Sequence, residues 1–370
     1  MILSNDFSRQ WEDTEKDAVE AFIATGKSGW YILGGELQRF EEALAAYWSF
    51  PFAAGVASGL DAIELSLRAL GCKAGDRVLT TPVSAFATTL AILKIGAVPV
   101  FSDVDACGLI DLDEAYNVAS RGDIHYFVPV HLYGHALERH KLARFREDLG
   151  TNIVEDCAQS IGARSHGLPT GSVGQMAATS FYPTKNLGAM GDGGAILTRD
   201  HPCLLRIRML RDYGQRTKYN HEIIGYNSRL DELQAALLRA VYLPRLTRWL
   251  QRRTGIADRY SAEIRNPAVQ LIGMPAGSDS SWHLFPILIS PTRKRGFLEH
   301  MKSRMVSASE HYPIAIPDQT AMAGVSFEIV PNGIESARTF CKSQVSLPIH
   351  PYLNDAEVSQ VIETVNRWTG

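Results

Sequence analysis

Between residues 56 and 198 the chain alternates short apolar runs with segments of helical periodicity, and this pattern narrows its fold more than any other feature. Strand-like runs fall at 77–81, 98–101, 126–130, 152–155, 177–181 and 195–198. Between them, Leu60, Ile63, Leu67 and Leu70 share one helical face closed by Gly71, and residues 85–94 and 137–149 also read as helices. Strands that are apolar along their whole length are buried on both faces, and helical crossovers return the chain in the same direction. The expectation is an α/β fold with a mostly parallel sheet covered on both sides.

The flanking regions differ in texture. Residues 11–23 carry a weak helical pattern, Gly34 and Gly35 mark a turn, and Leu37, Phe40, Leu44 and Tyr47 recur at helical spacing. Leu230, Leu233, Leu237 and Val241 define another helix that runs into Pro244. Proline lacks a donor and crowds the preceding turn, so Pro244 is expected to kink this helix or separate it from the next stretch, 246–260. Beyond lie candidate strands at 282–289 and 343–347 and candidate helices at 294–301 and 355–368. This predicts a lead-in and large domain over 1–249 and a smaller α+β domain over 250–370.

Composition excludes several classes. Thirty-seven Lys plus Arg against forty Asp plus Glu leave a formal net charge of −3 without a basic block, a poor footing for a nucleic-acid binder. The five cysteines are scattered and odd in number, with no CxxC, which fits a reducing compartment. The N-terminus lacks the pattern of a secretory leader, and no uncharged apolar run approaches the ~18 residues of a membrane span. A cytoplasmic protein without a membrane partner is expected.

The sharpest local chemistry lies in SFYPTKNLGAMGDGG, Ser180 to Gly194. Lys185 follows an apolar strand and a Pro183 turn; it could form an imine, cradle a phosphate, or face solvent. Glu155 and Asp156 end an apolar strand, where open α/β sheets place ligands, although Asp156 could instead cap a turn. Ser58 and Gly59 open a helix whose first amides could receive a phosphate, or Ser58 serves only as an N-cap. Together these permit a phosphorylated cofactor such as pyridoxal phosphate without selecting it. SGLDA is not GxGxxG, and GDGG lacks the P-loop lysine and hydroxyl. His125, His131, His135 and His140 form no recognised ligand motif, so no metal is expected, and Cys157 reads as a buried small hydrophobe.

At Lys185 a resemblance enters. The blocks VASGLDAIELSLRAL, GDRVLTTPVSAFATTLAILKIGAVPVFSDVD, VPVHLYGH, IVEDCAQSIGA, SFYPTKNLGAMGDGG and GYNSRLDELQAALLR, in this order, resemble the DegT/DnrJ/EryC/StrS sugar aminotransferases over residues 12–368. The resemblance implies the aspartate-aminotransferase-like fold type I with a mostly parallel seven-stranded sheet, and pyridoxal 5'-phosphate that passes through pyridoxamine 5'-phosphate. Carried over by position, Lys185 matches the lysine that tethers the cofactor and shuttles protons, and Asp156 the partner of its ring nitrogen. Phe86 matches the aromatic stacked on the ring, Gly59, Leu60 and Ser180 the phosphate contacts, and Gln159 a polar neighbour of the phenolic oxygen. Asn227 matches an asparagine supplied to the neighbouring phosphate across a homodimer interface.

The implied reaction moves an amino group from L-glutamate to a nucleotide-linked keto-hexose. Relatives acting on TDP-linked 3-keto-6-deoxyhexoses share a Gly-Leu-Asp-Ala turn, and this chain has SGLDA; a C4 aminotransferase and a non-catalytic regulatory protein that binds the cofactor are the alternatives. Relatives commonly read HYPxPxHxQ where this chain has HYPIAIPDQ, with Ala315 and Pro317 as departures. His311, Tyr312 and Gln319 are candidate substrate contacts there, and Tyr219 and His221 are candidates from a partner subunit.

Overall fold

The computed structural model describes residues 1–369. Its main strands in the first two thirds of the chain are β1 Phe52–Val56, β2 Arg77–Thr80, β3 Val98–Phe101, β4 Tyr126–Val128, β5 Asn152–Asp156, β6 Met176–Ser180 and β7 Gly194–Thr198. Later come β8 Val269–Leu271, β9 Phe285–Ile289, β10 Glu328–Ile329 and β11 Gln344–Leu347. The main helices before residue 211 are α1 Phe7–Ser28, α2 Gly35–Trp48, α3 Gly59–Ala69, α4 Phe86–Ile95, α5 Leu112–Ala119, α6 Arg139–Glu147 and α7 His201–Arg211. They are followed by α8 Glu232–Leu237, α9 Leu243–Glu263, α10 Lys294–Ser303, α11 Glu335–Ser343 and α12 Asp355–Asn366.

The large sheet runs β1-β7-β6-β5-β4-β2-β3-β10. β7 is antiparallel to both neighbours, whereas every pair from β6 to β10 is parallel. The sheet is therefore mixed, with eight strands where seven were expected. The extra edge strand β10 is two residues long and comes from the C-terminal third of the chain, too short to leave a periodic signal.

Alternating side chains send the sheet's two faces into different cores. Leu79, Val100, Phe127 and Ile153 pack with α5, α6 and α11 on one face. Val78, Val128, Val154, Met176 and Ile196 pack with α3, α4 and α7 on the other. A third core gathers the lead-in helices around Phe40, Leu44, Trp48 and Phe181.

A π turn at Leu238–Tyr242, just before Pro244, separates α8 from α9 without a non-helical break. Proline has no N–H to give the preceding turn and crowds it, and the wider π turn accommodates both effects within a continuous helical run. Leu246 and Trp249 of α9 belong to the lead-in core, whereas Ile256, Ala257 and Tyr260 belong to the core of the smaller unit. That unit is an antiparallel sheet β8-β9-β11 packed with α10 and α12, and Ile2 joins its core from the other end of the chain. Among the described residues, no helix is long and apolar enough to cross a membrane.

Candidate active site

A cavity of about 570 Å³ opens where β5 and β6 end and α3 begins. The large unit contributes Gly59, Leu60, Asp156, Gln159, Ser180 and Lys185 to its wall, and the smaller unit contributes His283, His311 and Tyr312. Nine of the residues singled out in the sequence thus converge on one hollow: Ser58, Gly59, Leu60, Asp156, Gln159, Ser180, Lys185, His311 and Tyr312.

Strand alternation separates the adjacent carboxylates of β5, which the sequence had placed together near a ligand. Asp156 lines the cavity, whereas Glu155 is buried away from it. The Asp156 carboxylate accepts from the Thr88 hydroxyl at 2.8 Å and from the Ala158 N–H at 3.0 Å. Burial raises its pKa, and the two hydrogen bonds and the Lys185 charge offset that rise in part. Glu155 instead accepts from His131 Nε2 and from the N–H groups of Gly171, Val173 and Gly174, tying the loop before β6 to the strand.

Lys185 lies in a turn held by its own N–H, which donates to the Tyr182 carbonyl at 2.8 Å. Burial lowers its amine to about 8, against the upward pull of Asp156.

The opening of α3 is shaped for close approach. Ser58 caps the helix by accepting from the Asp61 N–H at 3.1 Å. A Cβ on Gly59 would stand 2.5 Å from the Ser180 Cβ and 3.1 Å from its Cα, so only glycine lets the two segments meet here. The result is a helix N-terminus with its free amides at the cavity wall beside a serine hydroxyl, an arrangement suited to a phosphate.

Other expected residues fall elsewhere. Phe86 is half-buried at the start of α4, between Ala85 and Ala87, which line the cavity, and it packs against the core. Asn227 is exposed, Tyr219 is 81% exposed, and His221 is exposed with Nδ1 at 2.9 Å from the Tyr213 carbonyl. Gln319 does not line the cavity; its amide reaches the Ile314 carbonyl in its own loop. Ala315 and Pro317 are buried, so the departures from the family pattern point into the core rather than into the site. The four clustered histidines do not converge. His131 pairs with Glu155 and His135 with Ser280, while His140 stacks edge-on with His166, and Cys157 is fully buried as expected.

Sequence reasoning missed His283 and Tyr133. His283 is buried beside the cavity, and burial together with the charges of Lys185, Arg253 and His311 holds its pKa well below the usual range. The only signal was a histidine in an otherwise apolar stretch, SWHLF.

Comparison with known proteins agrees with this geometry. A model of the DegT/DnrJ/EryC1/StrS aminotransferase family matches residues 12–366. The chain is 38% identical to the dTDP-3-amino-3,4,6-trideoxy-alpha-D-glucose transaminase of Streptomyces venezuelae, over 98% of this chain and 95% of that one. It is 40% identical to the erythromycin biosynthesis sensory transduction protein EryC1 of Saccharopolyspora erythraea, over 97% of each. Among solved structures, S. venezuelae DesV in complex with a ketimine intermediate superposes with a TM-score of 0.93 at 36% identity, covering 99% of this chain and 98% of that one. With a family model spanning nearly its whole length and relatives this similar across it, the chain belongs to the DegT/DnrJ/EryC1/StrS aminotransferase family.

Proposed function

We propose that this protein uses pyridoxal phosphate to move an amino group from L-glutamate to the C3 ketone of a TDP-linked 3-keto-6-deoxyhexose. The observation that carries the reading is the meeting of Lys185 and buried Asp156 in one cavity at the start of α3. The residues fit the cofactor: the α3 amides at Gly59 and Leu60 and the Ser180 hydroxyl would hold its phosphate, Asp156 would partner its ring nitrogen, and Lys185 would tether it. Gln159 would be available to its phenolic oxygen, and Phe86, which packs against the core between two residues that line the cavity, would have to turn to reach its ring. When bound there, pyridoxal phosphate supplies an electron-withdrawing ring that acidifies the donor's α-hydrogen and stores the amino group between half-reactions.

This chain's own residues do the rest. Asp156 keeps a proton on the ring nitrogen, which Thr88 and the Ala158 N–H favour by fixing the carboxylate in place. Once released from its tether, Lys185 takes up the α-proton, and its lowered pKa gives it a neutral form near physiological pH. The small-unit wall of His283, His311 and Tyr312 receives the sugar. The C3 preference is supported by the SGLDA turn and by the S. venezuelae relative, which is named for a 3-amino sugar.

The working unit in this reading is a homodimer with shared sites. Phe22, Trp30, Tyr31 and Ile224 are 59%, 62%, 54% and 89% exposed, apolar surface that a second copy would cover, and Asn227, Tyr219 and His221 are exposed. The domain division falls near residue 250, within α9, where one helix passes from the first core into the second.

The test is a single turnover with L-glutamate, followed by the loss of the cofactor's visible absorbance and the yield of 2-oxoglutarate. Wild type is expected to give one 2-oxoglutarate per site, and Lys185→Ala none. Wild-type rates in Lys185→Ala overturn the assignment of the lysine. A wild type that binds cofactor but never reacts supports the regulatory reading that the EryC1 name suggests.

A further inference from the structure

We propose that Tyr133 is a positioning residue: it locks the two cavity-lining segments of the smaller unit onto the strand ends that carry Asp156 and Gln159, and thereby shapes the wall that meets the sugar. The inference rests on the reading above that the cavity takes a keto-sugar.

Tyr133 lies just beyond β4, fully buried, with φ +63. A bulky side chain rarely occupies this left-handed region, and it persists only where the surroundings over-determine it. Here they do so on every side. Its N–H donates to Gln159 Oε1 at 2.7 Å, its carbonyl accepts from the Leu284 N–H at 3.2 Å, and the Gly134 carbonyl accepts from the Ser281 N–H at 2.9 Å. The two residues are thus zipped to the segment that holds His283. Gly134 has φ +91, and a Cβ there would stand 2.7 Å from the backbone nitrogens of Trp282 and His283, so the fit is backbone against backbone.

The side chain reaches the second segment. The Tyr133 hydroxyl donates to the His311 carbonyl at 2.5 Å, and its ring stacks on Phe340 of α11. From its own side the 311–312 loop is tied to β11: the His311 N–H donates to Gln344 Oε1 at 2.7 Å, and His311 Nδ1 pairs with the Ser346 hydroxyl at 3.0 Å. The hydroxyl of Tyr133 is therefore the direct link from this loop to the β4 end.

The same tyrosine fixes the polarity of the cavity wall. Because Gln159 Oε1 is taken by the Tyr133 N–H, Gln159 turns its NH₂ to the Tyr312 hydroxyl at 3.3 Å. Tyr312 then accepts from Gln159 and keeps its own proton for a partner in the cavity, such as a sugar oxygen. Lys185, Asp156 and Ser180 make no hydrogen bond to the Tyr133 hydroxyl, so the demands of the small amino donor are met without it.

The experiment uses the cofactor-loaded enzyme as Tyr133→Phe, with Tyr116→Phe as a control that removes a hydroxyl bound to Asp148 at the far edge of the same core. Each half-reaction is measured separately, and amide hydrogen exchange is followed in peptides covering 281–289 and 309–317. Tyr133→Phe is expected to raise KM for the keto-sugar about tenfold, the scale of one hydrogen bond, while the glutamate half-reaction stays within about twofold. Exchange in both peptides should speed up, and Tyr116→Phe should match wild type. Equal losses in both half-reactions would reduce Tyr133 to a general packing residue and overturn the proposal, as would unchanged sugar KM with unchanged exchange. If the wild type fails to aminate the sugar, the functional reading falls, and the exchange of the two peptides still decides whether the latch exists.

Discussion

Glu155→Gln is an isosteric change that the structure makes expensive. The carboxylate accepts four hydrogen bonds: from Val173 at 2.8 Å and Gly174 at 2.6 Å on one oxygen, and from Gly171 at 2.9 Å and His131 Nε2 at 2.8 Å on the other. His131 cannot change tautomer to help, because its Nδ1 already accepts from the Leu137 N–H at 3.0 Å, which leaves the proton on Nε2. Whichever way the new amide turns, its NH₂ faces two donors and both lose their acceptor. Two buried unsatisfied donors at ~1–3 kcal/mol each give a loss of about 2–6 kcal/mol, a large share of a typical ~5–15 kcal/mol of folding stability. Urea unfolding at pH 7.5 measures it. Although burial pulls the Glu155 pKa upward, the bonds from His131 and the backbone win and hold it below the usual range. Its contribution is therefore complete above the ordinary carboxylate pKa of ~4.3 and is lost only as pH falls through the lower folded value. The gap between variant and wild type should accordingly persist at pH 5. A loss under about 1 kcal/mol would refute this reading of Glu155 as the clamp beneath the site.

Asp156→Asn should slow the single-turnover reaction with glutamate by about 10²–10³-fold, because the amide cannot hold the ring-nitrogen proton in a buried site; a stopped-flow rate near wild type would count against its role. The glutamate half-reaction should rise with pH and level off above about 8, following the lowered pKa of Lys185. A rate flat down to pH 6 would contradict it. Since Asp156 pulls the lysine pKa upward, Asp156→Asn should also move the start of that plateau to lower pH.

Much of this was legible in the chain because the chemistry sits at element boundaries. β5 ends at Asp156, β6 ends at Ser180 five residues before Lys185, and Ser58 caps α3; apolar runs and a cap signal raised Asp156, Lys185 and Ser58 as candidates, and the family resemblance was needed to select them and to add Ser180. The separation of Glu155 from Asp156 was readable too, since neighbours on a strand face opposite sides. Tyr133 and His283 were not, because their importance comes from contacts between segments about 150 residues apart, which no local pattern encodes. The edge strand β10 escaped for its length, and the interruption expected at Pro244 takes the form of a π turn rather than a break in the helical run. Asn227, Tyr219 and His221 stand outside the cavity of the single chain.

Amination at C3 is tested by offering glutamate-treated enzyme a TDP-3-keto-6-deoxyhexose and a TDP-4-keto-6-deoxyhexose in separate reactions and locating the new nitrogen by NMR. The expected result is a C3 amine from the first sugar, with recovery of the cofactor's original absorbance, and little product from the second. A C4 amine formed in preference would keep the aminotransferase and contradict the substrate assignment read from the SGLDA turn.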